Sequence, residues 1–238
     1  MSSAVILGVG PLEGLGARLC QRFAAAGLHV VIGGRTGAQL DAVVAAIRAD
    51  GGTATAVVTD ATRETDVHRL FEQAGDDLEL AIYNAGNNTP SRIVDMEADY
   101  FEAAWRVCCF GGFLFGREAV RRMLPRASGT LLFTGASASL RGRANFGAFN
   151  SAKGALRNLA QAMAKEYGPE GIHVGHVVVD GPIAGDKIIK GFPGYAERLG
   201  DRGMISLDGI VDGFEFLHRQ PREAWSFEID VRTSVEKW

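Results

Sequence analysis

The sequence predicts an α/β protein built on one doubly wound parallel sheet, with about seven strands and with helices on both faces. Short apolar runs alternate along the chain with segments in which apolar residues recur every three or four positions, so strands and helices follow one another. The runs are continuously apolar, which is typical of parallel strands buried on both faces. Ligands of such sheets bind beyond the carboxyl ends of the strands, and functional residues are therefore expected just after strands.

Length and composition fit a single domain, 1–238. The chain has 238 residues, of which 47% are hydrophobic and 22% charged, a balance typical of folded proteins. A net charge of −3 argues against nucleic acid as a partner. Because no apolar run approaches the roughly 20 residues of a transmembrane helix, and the N-terminus lacks the basic segment of a signal peptide, we expect no membrane association. Three cysteines, with Cys108 and Cys109 adjacent, predict reduced thiols in a cytoplasmic protein.

The elements follow in a regular order. The predicted strands are residues 4–7, 29–32, 53–59, 78–84, 130–133 and 174–179, with a further alternating run at 225–230. Leu15 begins a four-residue apolar repeat, which predicts a helix directly after the first strand. Thr36, with Gln39 three residues later, is a capping-box start for a helix that we expect to reach Asp50. A long striped helix in the second half of the chain is predicted to stop at Gly168-Pro169.

A glycine-rich loop, Gly8-Val9-Gly10-Pro11-Leu12-Glu13-Gly14-Leu15-Gly16, joins the first strand to the first helix. Glycines allow a tight turn and let backbone amides approach a pyrophosphate, which the positive end of the helix attracts. Such a loop could also be a purely structural turn, but its position between a strand and a helix of a βαβ unit favours dinucleotide binding. The loop therefore predicts a Rossmann-like fold.

The spacing Gly10-x-x-x-Gly14-x-Gly16 resembles that of the short-chain dehydrogenase/reductase family, although Val9 stands where the family usually has Thr. Asn84-Ala85-Gly86 after the fourth strand and Lys153 on the long helix match further family motifs, and the resemblance covers essentially the whole chain. The resemblance implies cofactor contacts at these positions: Gly8, Gly10, Leu12, Gly14, Leu15, Gly16, Arg35, Asp60, Ala61, Asn84, Ala85, Gly86, Lys153, Gly181 and Ile183.

The catalytic positions implied by the resemblance are only partly filled. Lys153 is present, but Phe149 stands where the family has its proton-donating Tyr. Ala136 stands at the Ser position, with Ser137 one residue away, and Cys109 stands at the Asn position. We expect Lys153 to hold the nicotinamide ribose and to assist proton transfer, Ser137 to orient the substrate, and Phe149 to line the pocket. The alternative for Lys153 is ribose binding alone.

The residue at the end of the second strand distinguishes the two nicotinamide cofactors, NAD and NADP. Arg35 follows that strand in place of the acid that would bind a free ribose hydroxyl, and this favours NADP. Glu13 in the glycine loop has the opposite effect, because its charge would repel a 2′-phosphate. Arg35 could also be a solvated loop charge. We expect no metal site, since the histidines show no ligand spacing.

Two segments carry predictions about substrate binding and about oligomerisation. Residues 180–206 are rich in Gly and Pro with interspersed apolar residues, and the resemblance implies a mobile lid over a partly apolar substrate; the alternative is a helical hairpin against a neighbouring subunit. The resemblance also places the aromatic residues of the 101–115 segment on helices that form a homodimer or homotetramer. Those residues are Phe101, Trp105, Phe110, Phe113 and Phe115.

Three functions remain open from the sequence. The first is an NAD(P)-dependent oxidoreductase that acts on a carbonyl or hydroxyl of a small, partly apolar molecule. The second is a non-catalytic protein that binds or senses the dinucleotide, a reading favoured by Phe149, Ala136 and Cys109 at the catalytic positions. The third is a lyase or isomerase that uses the same fold without hydride transfer.

Overall fold

The computed structural model describes residues 1–86, 88–200 and 202–236, so four positions of the predicted domain 1–238 lie outside the described residues. The described chain forms one seven-stranded sheet in the order β3-β2-β1-β4-β5-β6-β7, in which every neighbouring pair is parallel. The strands are β1 Ser3–Leu7, β2 His29–Gly34, β3 Thr53–Val58, β4 Leu78–Tyr83, β5 Gly129–Ala136, β6 Ile172–Val179 and β7 Glu228–Val231. This confirms the predicted doubly wound α/β fold.

Helices cover both faces of the sheet. Over the described residues they are α1 Leu15–Ala25, α2 Gly37–Ala49, α3 Glu64–Glu72, α4 Ala98–Trp105, α5 Gly111–Met123, α6 Gly147–Tyr167, α7 Asp186–Ile189, α8 Pro193–Leu199 and α9 Leu207–His218. Helices α1, α2 and α9 bury their apolar residues in one core, and α3, α5 and α6 bury theirs in a second core. None of the described helices is both long enough and apolar enough to cross a bilayer.

The central strand shows why the strands are continuously apolar. Ala4 and Ile6 of β1 belong to the core beneath α1, whereas Val5 and Leu7 belong to the core on the opposite face. Successive side chains of a strand point to opposite faces, so a strand covered on both sides must be apolar at every position.

Strand boundaries differ from the predictions by up to three residues, and the two largest differences, at the end of β5 and the start of β7, have causes that the local sequence does not reveal. Strand β5 continues three residues beyond the predicted end, since its ladder with β6 runs on to the pair Ala136 and Val179. Strand β7 begins three residues after the predicted start at Trp225. The Trp225 ring instead stacks on His173, with 4.9 Å between the ring centroids.

The helix signals give a mixed result. Helix α2 begins directly after Thr36, as predicted, but the Thr36 side chain makes no capping hydrogen bond, so the capping box is wrong. The side-chain oxygen of Gln39 lies instead 3.8 Å from where a Cβ on Gly10 would stand, facing the glycine-rich loop. Helix α6 ends at Tyr167, which confirms the stop at Gly168.

Candidate functional site

The candidate site lies at the topological switch point of the sheet, where β1 pairs with β2 on one side and β4 on the other. Connections from these strands run to opposite faces and leave a crevice at their carboxyl ends, the usual ligand position of open α/β sheets. The glycine-rich loop, residues 8–16, begins here. Its first two amides, those of Gly8 and Val9, both donate to the Gly33 carbonyl of β2 at 3.0 Å.

Three glycines around this loop leave no room for a side chain. Gly8 has a φ of +101°, and a Cβ there would lie 2.4 Å from the Ala85 amide nitrogen. A Cβ on Gly16 would lie 2.7 Å from the Gly8 carbonyl oxygen, and one on Gly34 would lie 2.2 Å from the Val9 carbonyl oxygen. These glycines let the loop, β2 and the end of β4 pack closely.

Gly10 has a different environment, because a Cβ there would meet only the Gln39 side chain. Open space therefore lies in front of the loop. The first amides of α1, which starts at Leu15, have no carbonyl partner within the helix and form an anion-binding end. A loop with room at Gly10 and a helix N-terminus behind it fits a dinucleotide pyrophosphate.

Asn84 connects three strands behind the crevice. Its Nδ2 donates to the Gly8 carbonyl at 3.0 Å, and its Oδ1 accepts from the Thr134 hydroxyl of β5 at 2.9 Å. The side chain of Asn84 thus holds the glycine-rich loop against β4 and β5, which brings the loop and the end of β5 to one crevice.

The adenine end of the predicted site contains Asp60, Ala61 and Arg35. Asp60 Oδ1 accepts from the Thr62 amide at 2.9 Å and from the Thr62 hydroxyl at 2.8 Å. These hydrogen bonds lower the pKa of Asp60, and the positive charges of Arg35 and Arg63 lower it further. Arg35 is exposed at the end of β2 and close to Asp60, so the predicted adenine-end residues are brought together.

Lys153 lies at the other end of the crevice, on α6. Its side chain is buried, with 4% exposed, and Nζ donates to the Thr134 carbonyl at 2.7 Å. Nζ also lies 5.9 Å from the centroid of the Phe149 ring, within the range of a cation–π contact. Burial lowers the pKa of Lys153, the nearby Cys108 raises it, and the positive charge of Lys187 lowers it. Phe149 is thus the aromatic neighbour of a buried ammonium group.

The thiol next to Lys153 belongs to Cys108 rather than to Cys109. A Cβ on Gly86 would lie 3.2 Å from Lys153 Nζ and 3.6 Å from Cys108 Sγ, so both groups border the turn after β4. Cys108 is fully buried, whereas Cys109 is half-buried. Motif counting back from Gly112 selects Cys109, and only the packing distinguishes two adjacent cysteines.

A π-helical turn, Arg106–Phe110, between α4 and α5 presents these cysteines. The Tyr83 hydroxyl at the end of β4 donates to the Val107 carbonyl in that turn. A Cβ on Gly111 would lie 2.3 Å from the Tyr83 oxygen, so the missing side chain admits the phenol. Turns of this kind occur frequently at functional sites.

Ser137 and Ser139 lie in a short 3-10 turn directly after β5. Ser139 is buried, and its hydroxyl accepts from the Ala136 amide at 3.1 Å, which closes the turn. Ser137 is half-buried at the carboxyl end of the strand. The geometry gives Ser139 a structural task and leaves Ser137 as the candidate for contact with a substrate.

A partly buried cluster of His176, Arg157 and Glu228 joins α6, β6 and β7. His176 Nδ1 donates to Glu228 at 2.8 Å, and Arg157 donates to both oxygens of Glu228 at 2.6 and 2.8 Å. Burial lowers the pKa of His176 to about 4, although Glu228 partly opposes the shift. A Cβ on Gly135 would lie 2.3 Å from His176 Nε2, so the imidazole needs a glycine on the neighbouring strand.

The segment predicted as a lid, 180–206, forms α7 and α8, apart from residue 201, which lies outside the described residues. The Asp186 amide donates to the Glu13 carbonyl at 2.9 Å, so α7 begins against the glycine-rich loop. A parallel bridge between Ile183 and Ile205 joins the two ends of the segment, and Gly181 lies just before it. At its base, buried Asp180 accepts from Arg141 Nη2 at 2.8 and 3.0 Å.

The site geometry is that of a dinucleotide crevice with a lysine at one end and a covering segment above it. A family model described as short chain dehydrogenase matches residues 4–186. The chain belongs to the short-chain dehydrogenase family.

Relatives within the family cover the chain to different extents. The uncharacterized oxidoreductase YuxG of Bacillus subtilis is 33% identical over 79% of this chain but over only 28% of its own length. Cis-4-hydroxycyclohexanecarboxylate dehydrogenase of Sinomonas cyclohexanicum is 31% identical over 79% of this chain and 71% of its own length. A crystal structure of a short-chain dehydrogenase from Rhodopseudomonas palustris is 34% identical and covers 97% of this chain and 98% of that chain, with a TM-score of 0.83.

Some site residues of this short-chain dehydrogenase gave no signal in the sequence. Lys187 on α7 affects the pKa of Lys153, and the Arg141–Asp180 ion pair joins the turn after β5 to the start of the lid segment. A lysine in a four-residue helix and an arginine 39 residues from its partner have no pattern that marks them.

Proposed function

We propose that this chain is an NAD(P)-dependent oxidoreductase that interconverts a carbonyl and a hydroxyl group on a small, partly apolar substrate. The observation that carries the proposal is the buried Lys153, whose ammonium group lies at the end of a crevice that the glycine-rich loop opens. A buried cation without a carboxylate partner is unfavourable in a merely structural role.

A bound nicotinamide would supply or accept a hydride at this end of the crevice. The chain itself must then hold the substrate and move one proton at the substrate oxygen. Phe149 has no proton to give, so Lys153 Nζ donates the proton during reduction and regains one from solvent. Burial favours this step, because it lowers the pKa of Lys153. Ser137 orients the substrate oxygen, and Phe149 packs against the substrate body.

We infer NADP as the preferred cofactor. Arg35 is exposed at the end of β2, where a 2′-phosphate would accept hydrogen bonds from its guanidinium group. Glu13 is also exposed, and its carboxylate weakens the preference without removing it.

A small alicyclic or aromatic body is the substrate class that we propose. The exposed apolar side chains of the lid segment are Ile189, Phe192 and Tyr195. Together with Phe149 they provide apolar contact for such a body. The name of the Sinomonas relative describes a hydroxyl on a cyclohexane ring, which is consistent with a secondary alcohol or ketone on a small ring.

We further propose a homodimer or homotetramer that uses the α4–α5 face, in the cytoplasm. Phe101, Trp105 and Phe113 are 41%, 39% and 37% exposed on this face, more apolar surface than a lone helix pair usually shows to water. Phe115 is not part of this face, because it is fully buried against Phe71 and core packing within its own chain accounts for it.

Two alternatives to the oxidoreductase proposal remain open, and the measurements below distinguish them from it. Phe149, Ala136 and Cys109 at the catalytic positions motivate two alternatives, a non-catalytic dinucleotide sensor and a lyase or isomerase. Both alternatives keep the dinucleotide crevice and differ from the proposed oxidoreductase only because they transfer no hydride.

Two measurements test the proposal. A saturating dinucleotide should raise the melting temperature by about 5–10 °C, because a ligand at about 100 times its Kd stabilises the folded state by about 2.7 kcal/mol. Consumption of NADPH should then accompany reduction of a cyclic ketone such as cyclohexanone or a methylcyclohexanone. Binding without consumption over a ketone and aldehyde panel would support the sensor or non-redox reading, and no thermal shift would refute the proposal.

A further inference from the structure

An ion pair joins two strand ends on the side of the crevice that the proposed function assigns to the substrate. The ladder between β5 and β6 stops at the pair Ala136 and Val179. Beyond this pair, β5 leads into the turn that carries Ser137, and β6 leads into Asp180, the first residue of the lid segment. The Arg141 side chain connects the two, because its Nη2 donates to both oxygens of Asp180 at 2.8 and 3.0 Å.

The backbone of Arg141 belongs to the turn that presents Ser137. Its amide donates to the Ser137 carbonyl at 3.1 Å and closes the turn. Its carbonyl accepts from Asn150 Nδ2 at 2.5 Å, and Asn150 directly follows Phe149 on α6. Arg141 is therefore tied to both elements that the proposed function places beside the substrate.

Asp180 is buried in a way that makes it depend on a charged partner. Its side chain is 1% exposed, and its amide donates to the Val231 carbonyl at the end of β7 at 2.9 Å. Arg232 Nη2 lies 3.9 Å from the nearer Asp180 oxygen, whereas Arg141 is within hydrogen-bond distance of both oxygens. A buried carboxylate is stable only when it is paired, and paired hydrogen bonds from one arginine fix orientation as well as charge. The contact therefore holds the base of the lid segment against the Ser137 turn.

The lid segment has two separate anchors. Its two ends are joined directly after Asp180, since the Ile205 amide donates to the Pro182 carbonyl at 2.8 Å. The joined base is anchored by Arg141 on the substrate side of the crevice. The second anchor is on the cofactor side, where the Asp186 amide donates to the Glu13 carbonyl of the glycine-rich loop. A change at one anchor leaves the contacts of the other in place.

We infer that Arg141 and Asp180 are positioning residues that set how the lid segment meets a substrate oriented by Ser137. The inference rests on the proposed function and adds to it an ion pair that controls substrate affinity. Neither side chain moves a proton in the reaction. Their contact fixes the base of the lid segment relative to the Ser137 turn, so the apolar side chains of the segment close over the substrate in one geometry. The dinucleotide is unaffected because the contact with Glu13 is retained.

The test removes both charges of the ion pair together. Arg141→Gln/Asp180→Asn avoids a buried carboxylate without its arginine and keeps polar groups of similar size. The matched control is Arg157→Gln/Glu228→Gln, because Arg157 also donates to both oxygens of one carboxylate, at 2.6 and 2.8 Å, but joins α6 to β7. Arg141→Lys is a milder variant that keeps the charge and loses the two-pronged contact.

The readouts are hydrogen–deuterium exchange of the protein alone and steady-state reduction of cyclohexanone by NADPH. We expect the amides of residues 182–200 to exchange about tenfold faster in Arg141→Gln/Asp180→Asn and at the native rate in the control. The KM for cyclohexanone should rise about tenfold with kcat within about threefold of the native value, and the Kd of NADP should stay within about twofold. Arg141→Lys should raise this KM about threefold, so the test does not depend on the double variant alone.

Several results would overturn the inference. These are native exchange of residues 182–200 in the double variant, an unchanged KM, a loss of kcat at constant KM, or an equal rise of KM in the control. The last result would reduce the ion pair to a general contribution to stability. If the native protein binds NADP but reduces no cyclohexanone, the proposed function fails. Exchange then decides the ion pair separately: faster exchange in the double variant supports the anchor, and native exchange refutes it as well.

Discussion

Placing a phenol beside Lys153 is the sharpest test of the proposed proton transfer. The Phe149 ring centroid lies 5.9 Å from Lys153 Nζ, so a hydroxyl on this ring would come close to the ammonium group. At about 4 Å and an effective dielectric constant of about 20, the ammonium group stabilises a phenolate by about 4 kcal/mol. This lowers the phenol pKa from about 10 to about 7, near the operating pH of most enzymes.

Phe149→Tyr should therefore raise kcat/KM for ketone reduction by about 10²–10⁴-fold, the usual contribution of a general acid. The assay follows NADPH absorbance between pH 5 and 10, and the variant should show a new ionisation near pH 7 that the native protein lacks. Phe146→Tyr is the matched control, because Phe146 is also half-buried but lies over Arg143 instead of Lys153.

Either of two results would refute this reasoning. No gain in Phe149→Tyr would mean that the added phenol does not act as a general acid beside Lys153 or that no ketone is bound in reach of the ring. An equal gain in Phe146→Tyr would show that the effect does not depend on Lys153.

The remaining predictions concern packing, cofactor choice and acid stability. Gly34→Ala should lower the free energy of unfolding by about 2 kcal/mol in a urea titration, because its Cβ would lie 2.2 Å from the Val9 carbonyl oxygen. Gly154→Ala, with open space around its Cβ in α6, should raise that free energy by about 1 kcal/mol instead. Arg35→Ala should weaken NADP binding by about 10–100-fold in a fluorescence titration and leave NAD binding nearly unchanged; equal losses for both cofactors would disprove a contact with the 2′-phosphate. An unfolded histidine takes up a proton near pH 6.5, but folded His176 does so only near pH 4. The contribution of neutral His176 to the free energy of unfolding is therefore complete above pH 6.5 and is lost as the pH falls toward 4. Between pH 7 and 5 this lowers the free energy of unfolding by about 2 kcal/mol. The variant His176→Asn keeps a donor for Glu228 and should lose less of that free energy over the same pH range. An unchanged loss would assign the acid sensitivity to other groups.

Local patterns sufficed for most of the fold. The strands at Ser3–Leu7 and Thr53–Val58 and the helix stop after Tyr167 follow from apolar runs and turn residues a few positions away. The predicted strand boundaries were wrong where a contact with another strand sets the true boundary. Strand β5 is extended by its ladder with β6, and the predicted start of β7 at Trp225 is displaced by a stacking contact with His173.

The residues of the candidate site also fall into those that local sequence patterns predict and those that depend on contacts between distant residues. The glycine-rich loop and Lys153 stand in motifs with fixed spacing, and the structure brings them to one crevice. Cys108 has no such spacing, since its place beside Lys153 depends on a π turn. Asn84 was expected at the cofactor, and its side chain proves to hold the glycine-rich loop and β5 together.

The sequence by itself determined the parallel α/β sheet, the glycine-rich loop at its first turn and the presence of a phenylalanine at residue 149. These depend on residue type and short spacing, which a linear chain displays directly. Only the tertiary structure decided which cysteine meets the buried lysine, and that Glu228 accepts a hydrogen bond from His176, 52 residues away. Such contacts join residues far apart in sequence, and their geometry exists only once the sheet order has brought the strands side by side.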